Sequence, residues 1–220
     1  MPVPVRVVIA DDERLLRTAL SVLLSADGRI EVVAEAADGL EALEAVRVHR
    51  PDVLLLDVQM PGTGGLDVLG AVLALPDPPA TAILTTFDLD DYVATALDLG
   101  AHGFLLKDAD PEFLARAVLD LASGGAVLDP RITARLLPRL RVAGGQLHQS
   151  SVLEALSARE RQVLGLLASG RPNAEIASQL GLTEATVKSY VSTLLTKLGV
   201  QNRVQAALLA QRTIGVREEL

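Results

Sequence analysis

Two hydropathy rhythms share the first 124 residues of the chain. Short apolar runs recur at Val5–Ala10, Ile30–Ala36, the segment "DVLLLD" ending at Asp57, Ala80–Thr86 and Gly103–Lys107. Continuous apolar runs bounded by turn signals predict strands buried on both faces. Between them the apolar positions take helical spacing, as at Leu15, Leu16, Ala19, Leu20, Leu23 and Leu24 within Glu13 to Ala26. Further helices are expected over Gly65–Leu75 and Leu89–Leu99. Asp38-Gly39-Leu40-Glu41 reads as a capping box, and Asp110-Pro111-Glu112 as an Asp N-cap with Pro in the first turn. Five strand–helix units in a row imply a parallel sheet with helices on both faces.

The rhythm changes after Gly124. A stretch with Gly124, Gly125, Pro130, Pro138, Gly144 and Gly145, carrying "RITARLLPRLR", reads as a linker with one short helix. From Leu156 the pattern is wholly helical. Ser157-Ala158-Arg159-Glu160 is a second capping box, opening a helix that closes at Gly170. "PNAEIASQL" closes at Gly181, Thr183 opens "EATVKSYVSTLLTKL" up to Gly199, and a last helix runs from about Arg203 to Arg212. The expected organisation is a domain over 1–124, a linker over 125–150 and a helical domain over 151–220.

Composition narrows the chemistry. The 220 residues are half hydrophobic and contain no cysteine, which excludes a disulfide framework and thiolate metal sites. No apolar run approaches the ~20 residues of a membrane-spanning helix, and the first residues lack the basic region of a secretory signal. A soluble cytoplasmic protein without membrane partners is expected. The net charge of −8 is uneven: Met1–Leu128 holds 21 acidic and 8 basic residues, net −13, while Ser151–Leu220 holds 6 and 8, net +2. Two modules with different partners follow. Of 20 basic residues only Lys107, Lys188 and Lys197 are lysine, so these positions are candidates for a compact ammonium.

In open parallel sheets ligands bind beyond the carboxyl ends of the strands. Here those ends carry Asp11 and Asp12, then Asp57, then Thr85 and Thr86, then Lys107. Each acid alone could be a cap or turn residue; four convergent strand ends make a crevice of three carboxylates, hydroxyls and an ammonium. Carboxylates so close repel one another unless a cation lies among them. A donor set of oxygens alone favours a hard cation such as Mg2+. Lysine and a hydroxyl opposite can hold two oxygens of a tetrahedral anion. This is equipment for phosphoryl transfer to an aspartate, with central Asp57 as acceptor.

"VVIADDE", "DVLLLDVQMPG", "AILTTFD" and "GAHGFLLKD" resemble, in order, the receiver domain of bacterial two-component response regulators. The resemblance implies a flavodoxin-like (βα)5 fold and Asp57 as phosphoacceptor from a sensor histidine kinase. It also implies Mg2+ held by Asp11, Asp12, Asp57 and the backbone carbonyl of Gln59, with Thr85 and Lys107 as phosphoryl ligands. Phe104 stands where the family has an aromatic switch residue, which would turn inward as Thr85 moves toward the phosphate.

In the helical domain, Ala177, Gly181 and Val187 have helix–turn–helix spacing, which a plain helical hairpin can also show. The wider stretch from "LSARERQVL" to "NRVQAALLA" resembles the four-helix LuxR-type DNA-binding domain, and the pair of domains resembles the NarL/FixJ subfamily. The resemblance implies transcription regulation, double-stranded DNA as partner and a homodimer when phosphorylated. Its recognition helix would be about Thr183–Leu198, entering the major groove by its N-terminal part. Lys188 is the leading candidate for a base or phosphate contact, with Ser189 and Ser192 facing the groove. Thr183, Glu184, Asn173 and Lys197 are candidate backbone or supporting contacts, and Val187, Val191 and Leu195 the buried face. Tyr190 departs from the family's usual histidine. Val204, Ala207 and Leu208 of the last helix resemble the family's dimer face.

Two competing readings carry less. A haloacid-dehalogenase-type hydrolase also attacks with a strand-end Asp, but wants a second Asp two residues on, where Gln59 stands, and a cap domain. A DNA-binding regulator whose receiver no longer takes phosphate is disfavoured by the complete set Asp11, Asp12, Asp57, Thr85 and Lys107. The regulator itself is not expected to be an enzyme.

Overall fold

The structure, a computed structural model, describes residues 3–26, 28–86, 90–129, 131–132, 155–200 and 202–215, with backbone alone for 90, 91, 94 and 211–215. The chain divides into two compact units, Met1–Ala122 and Ser123–Leu220. Among the described residues no helix is long and apolar enough to cross a membrane.

The first unit alternates β1 (Val5–Ala10), α1 (Arg14–Leu24), β2 (Ile30–Ala36), α2 (Gly39–His49), β3 (Val53–Asp57), α3 (Gly65–Leu73), β4 (Ala80–Thr85), α4 (Asp90–Leu99), β5 (Gly103–Leu106) and α5 (Pro111–Ala122). Its strands stand in the order β2-β1-β3-β4-β5, each neighbouring pair parallel. Helices α1 and α5 pack together, as do α2 with α3 and α3 with α4. Val7–Ala10, Val53–Leu56, Ala82–Leu84 and Phe104–Leu105 are fully buried, as apolar runs covered on both faces should be. Each fully buried Leu or Ile contributes about 1.5–3 kcal/mol of transfer free energy, so the central strands are the most strongly held part of this unit.

Several ends fall short of the hydropathy pattern. Helix α1 stops at Leu24, with Ser25 as its C-cap, and α3 stops at Leu73, with Ala74 as its cap. Strand β5 ends at Leu106 because a turn follows, in which the Ala109 amide donates to the Leu106 carbonyl at 3.0 Å. Asp38 caps α2 by accepting from the Glu41 amide at 2.9 Å; the Glu41 carboxylate accepts from Ala37 at 2.8 Å rather than from Asp38, so the box is not reciprocal. Asp110 accepts from the amides of Glu112 and Phe113, as an N-cap should.

The second unit begins with a two-residue strand, β6 (Val127–Leu128), in a stretch whose pattern reads as linker. An apolar pair is too short for periodicity to register. The helix expected within "RITARLLPRLR" lies outside the described residues beyond Ile132. Then follow α6 (Ala158–Ala168), α7 (Asn173–Leu180), α8 (Glu184–Leu198) and α9 (Arg203–Gly215). The capping box of α6 is complete, Ser157 and Glu160 each accepting from the other's amide at 3.2 and 2.8 Å. Leu156, Val163, Leu164, Leu167, Ile176, Ala177, Val187, Leu194 and Ala206 form one core cluster, against which Tyr190, Val191 and Leu195 pack while partly exposed. Gly181 ends α7 in the left-handed conformation (φ +63°), and Thr183 caps α8 by accepting from the Thr186 amide at 3.2 Å. A small residue in α7 and a Gly turn thus bring two short helices together.

Candidate functional site

Strand register places the acidic residues side by side. Ala10 pairs with Leu56, so Asp11 and Asp57 leave adjacent strands at the same level. Asp57 pairs with Leu84 and Thr85 with Leu106, which puts Thr85 and Lys107 at the neighbouring strand ends. Strand β1 has β2 on one side and β3 on the other, so the crevice opens where the strand order reverses.

Lys107 is the electrostatic centre. Its Nζ donates to Asp57 Oδ2 at 2.9 Å and lies 2.8 Å from Asp11 Oδ2 and 3.5 Å from Glu13 Oε1. The Gln59 amide donates to Asp57 Oδ1 at 3.1 Å, and the Glu13 amide to Asp11 Oδ1 at 2.9 Å. Asp11 and Asp57 are 0% and 2% exposed, whereas Asp12 is open to solvent. Burial pushes the Asp57 carboxyl above its ordinary pKa, against the Gln59 amide and the Lys107 ammonium, which pull it down. Burial alone would lower the Lys107 pKa; its bonds to Asp11 and Asp57 outweigh that and hold the ammonium above its ordinary value.

The donor set fits a hard divalent cation. Asp11, Asp12 and Asp57 each offer a carboxylate oxygen, all within 4.8 Å of one another, with no His or Cys among them. Asp11 Oδ2 is buried, and among the described residues its polar contact is the 2.8 Å ion pair with Lys107, which leaves a lone pair unused. A buried oxygen with a free lone pair in an acidic crevice is chemically ready for a metal. Gln59 lies in the loop beside Asp57, which the chain needs if its carbonyl is to join the set.

Two other expected residues are differently engaged. Thr85 is buried, and its hydroxyl donates to the Thr86 carbonyl at 2.9 Å, not to Asp57. Phe104 is 0% exposed, paired across the sheet with Ile83, so its ring already lies in the core. Sequence reasoning missed Gly65. A Cβ there would stand 2.1 Å from the Asp57 carbonyl oxygen and 2.7 Å from Val58 Cα. Only glycine lets α3 begin this close to the end of β3, and the Gly64-Gly65 pair after "MPG" is its signal in the chain.

On α8, Lys188, Ser189 and Ser192 are exposed, as are Thr183 and Glu184 at its start. The remaining expected contacts differ. Lys197 donates to both oxygens of Glu160, at 2.8 and 3.0 Å, and Glu160 is 6% exposed. That bond, with the Ser157 amide, holds the Glu160 carboxyl below the usual carboxylate range. Asn173 is 4% exposed and accepts from Arg203 at 3.0 Å; Arg203 also donates to the Arg171 carbonyl at 2.7 Å. Asn173 and Lys197 therefore bind their own fold rather than stand free. Val204, Ala207 and Leu208 are buried in the chain, so the expected dimer face is not an open surface here. Ala207 belongs to the core cluster of the second unit.

The chain matches the family model of the response regulator receiver domain over residues 7–119 and that of the bacterial regulatory proteins of the luxR family over 154–210. It is 40% identical to the DNA-binding transcriptional activator DevR/DosR of Mycobacterium tuberculosis over 206 residues, 94% of each chain. It is 41% identical to the nitrate/nitrite response regulator protein NarP of Escherichia coli, again over 94% of each. This chain is a NarL-family response regulator. Among solved structures, the response regulator ChrA of a heme-sensing two-component system is 37% identical, with a TM-score of 0.54, covering 96% of this chain and 97% of its own. The receiver domain of the putative response regulator NarL from Mycobacterium tuberculosis is 44% identical, with a TM-score of 0.54, over 56% of this chain and 99% of its own. The response regulator thus couples a flavodoxin-like receiver to a LuxR-type DNA-binding domain and acts in transcription regulation. The relatives named here are transcriptional regulators.

Proposed function

We propose that Asp57 accepts a phosphoryl group from a sensor histidine kinase in the cytoplasm, and that this switches dimerisation and sequence-specific DNA binding. The observation that carries the reading is Asp57 itself. A carboxylate 2% exposed at the end of an otherwise apolar strand is costly; Lys107 at 2.9 Å offsets that cost, and the two further carboxylates within reach add repulsion that a bound cation would relieve.

A carboxylate oxygen of Asp57 attacks phosphorus, the phosphorus–nitrogen bond of a phosphohistidine breaks, and the imidazole leaves with the bonding pair. The product is an acyl phosphate. Asp11, Asp12, Asp57 and the Gln59 carbonyl would hold Mg2+, which when bound neutralises the charge on the transferring group. Lys107 is the ammonium that can move to a phosphoryl oxygen, and the Thr85 hydroxyl would supply a second bond by leaving the Thr86 carbonyl. Phe104, buried on the adjacent strand β5, would have to accommodate that move; a local change of this kind can bias a bistable surface.

On DNA, the N-terminal half of α8 would enter the major groove. Lys188 would contact a base or phosphate, with Ser189 and Ser192 toward the groove and Thr183 and Glu184 at the backbone. Asn173 and Lys197 would support this through the fold. A dimer face at Val204, Ala207 and Leu208 requires that these side chains become uncovered. A solved structure of two RcsB dimers bound to two parallel DNAs, 26% identical with a TM-score of 0.58, supports the dimeric reading.

The test is acetyl phosphate with Mg2+, read by intact mass. One phosphoryl group adds to the wild type and none to Asp57→Ala; labelling elsewhere, or none with any donor, defeats the mechanism. A footprint on DNA with and without phosphodonor then reports half-site spacing.

A further inference from the structure

Arg17 lies on α1, one turn inside the helix, and its side chain is 12% exposed. Its Nη1 donates to the backbone carbonyl of Asp11. Its Nε is buried, accepted by no hydrogen-bond partner, and stands 3.6 Å from Oε2 of Glu35 near the end of β2. The guanidinium therefore bridges the loop after β1 and the neighbouring edge strand.

The carbonyl it holds belongs to the Asp11–Asp12 peptide. A peptide group is planar, so fixing that oxygen fixes the direction in which Asp12 leaves the main chain. Asp11 has other anchors: its amide donates to the Ala36 carbonyl at 3.1 Å, and its carboxylate is engaged by the Glu13 amide and Lys107. Asp12 has none of this kind. Its carboxylate is exposed and, among the described residues, meets no hydrogen-bond or ion-pair partner, yet it lies with Asp11 and Asp57 inside the 4.8 Å oxygen cluster.

We propose that Arg17 is a positioning residue for the cation site, setting the Asp11–Asp12 peptide so that the Asp12 carboxylate faces Asp11 and Asp57, with Glu35 orienting Arg17 in turn. The inference rests on the reading of these three carboxylates as the Mg2+ ligands. Arginine suits the task because its planar fork can serve two acceptors from one rigid group. Two effects of its removal have opposite signs. Loss of a nearby positive charge by itself tightens divalent-cation binding; loss of a ligand's support weakens it, typically 10–100-fold.

The sign decides. Mg2+ binding to the full chain is measured by isothermal titration calorimetry at fixed ionic strength, with the Mg2+-induced rise in melting temperature as a second readout. Arg17→Met is expected to weaken Mg2+ binding about tenfold and to shrink the melting shift. Arg17→Lys, which keeps the charge and one donor, recovers part of that loss. Unchanged or tighter binding in folded Arg17→Met overturns the proposal. If that variant does not fold by circular dichroism, Arg17→Lys decides: wild-type affinity overturns it and weaker affinity supports it. A wild type that binds no Mg2+ defeats the cation-site reading itself, and this inference with it; a wild type that binds normally beside an unaffected Arg17→Met defeats the inference alone.

Discussion

Lys197 on α8 and Glu160 on α6, 37 residues apart in the chain, are joined by two hydrogen bonds of 2.8 and 3.0 Å. The bond clamps the C-terminal end of α8 to α6. Because Glu160 is held below the usual carboxylate range, its contribution to stability is fully present above the ordinary glutamate pKa. It is lost as pH falls through the lowered native value. Urea midpoints of the C-terminal unit measured against pH should fall on that acid limb in the wild type. In Glu160→Gln the limb should flatten. An unchanged slope would show that the pair is not what titrates.

Lys107 supports three carboxylates at once, so its loss leaves like charges facing one another in a buried crevice. Lys107→Ala is expected to destabilise the first unit by roughly 3 kcal/mol, in the range for breaking a buried ion pair from one side. Added Mg2+ should restore more stability to this variant than to the wild type, since the cation can replace the missing charge. Hydrogen exchange of β1 and β3 amides, with and without Mg2+, measures both effects.

Gly65 is a packing requirement rather than a chemical group. Gly65→Ala drives a methyl into the Asp57 backbone and is expected to cost about 1–3 kcal/mol, as overpacking does. It should also displace the end of β3, lowering the rate of labelling by acetyl phosphate although no reacting side chain is altered. Full labelling at the wild-type rate in a folded variant would contradict this.

Lys188→Ala should weaken DNA binding across sequences and reduce the dependence of log affinity on log salt by about one unit if the contact is to phosphate. If the contact is to a base, discrimination at one position should relax instead. Either way labelling at Asp57 stays intact. Binding unchanged in both respects would refute the assignment of Lys188.

Much of this was legible in the chain. Strand ends in a parallel sheet share one edge, so an Asp after "VLLL" and a Lys after "GFLL" announce their own neighbourhood. Helix α8 was equally plain, because caps and helical spacing are local. What stayed hidden needs knowledge of which elements touch. The apolar face of α8 does not say that Glu160 waits beside Lys197. "NAEI" does not say that Asn173 faces Arg203. The apolar positions at Val204, Ala207 and Leu208 read alike whether they cover a core or await a second copy. Gly65 and Arg17 were missed for a further reason: both act on main-chain atoms, and no side-chain pattern records them.

The clamp at Lys197 shortens what α8 can read. With its C-terminal end committed to Glu160, the part left for the groove runs from Glu184 to about Ser192. At 1.5 Å per residue that is roughly 13 Å, or about four base pairs at 3.4 Å each. A word of four letters recurs throughout any genome. On the dimeric reading proposed above, selectivity would reside in the grammar that joins two such words, their order and their spacing, more than in the spelling of either one.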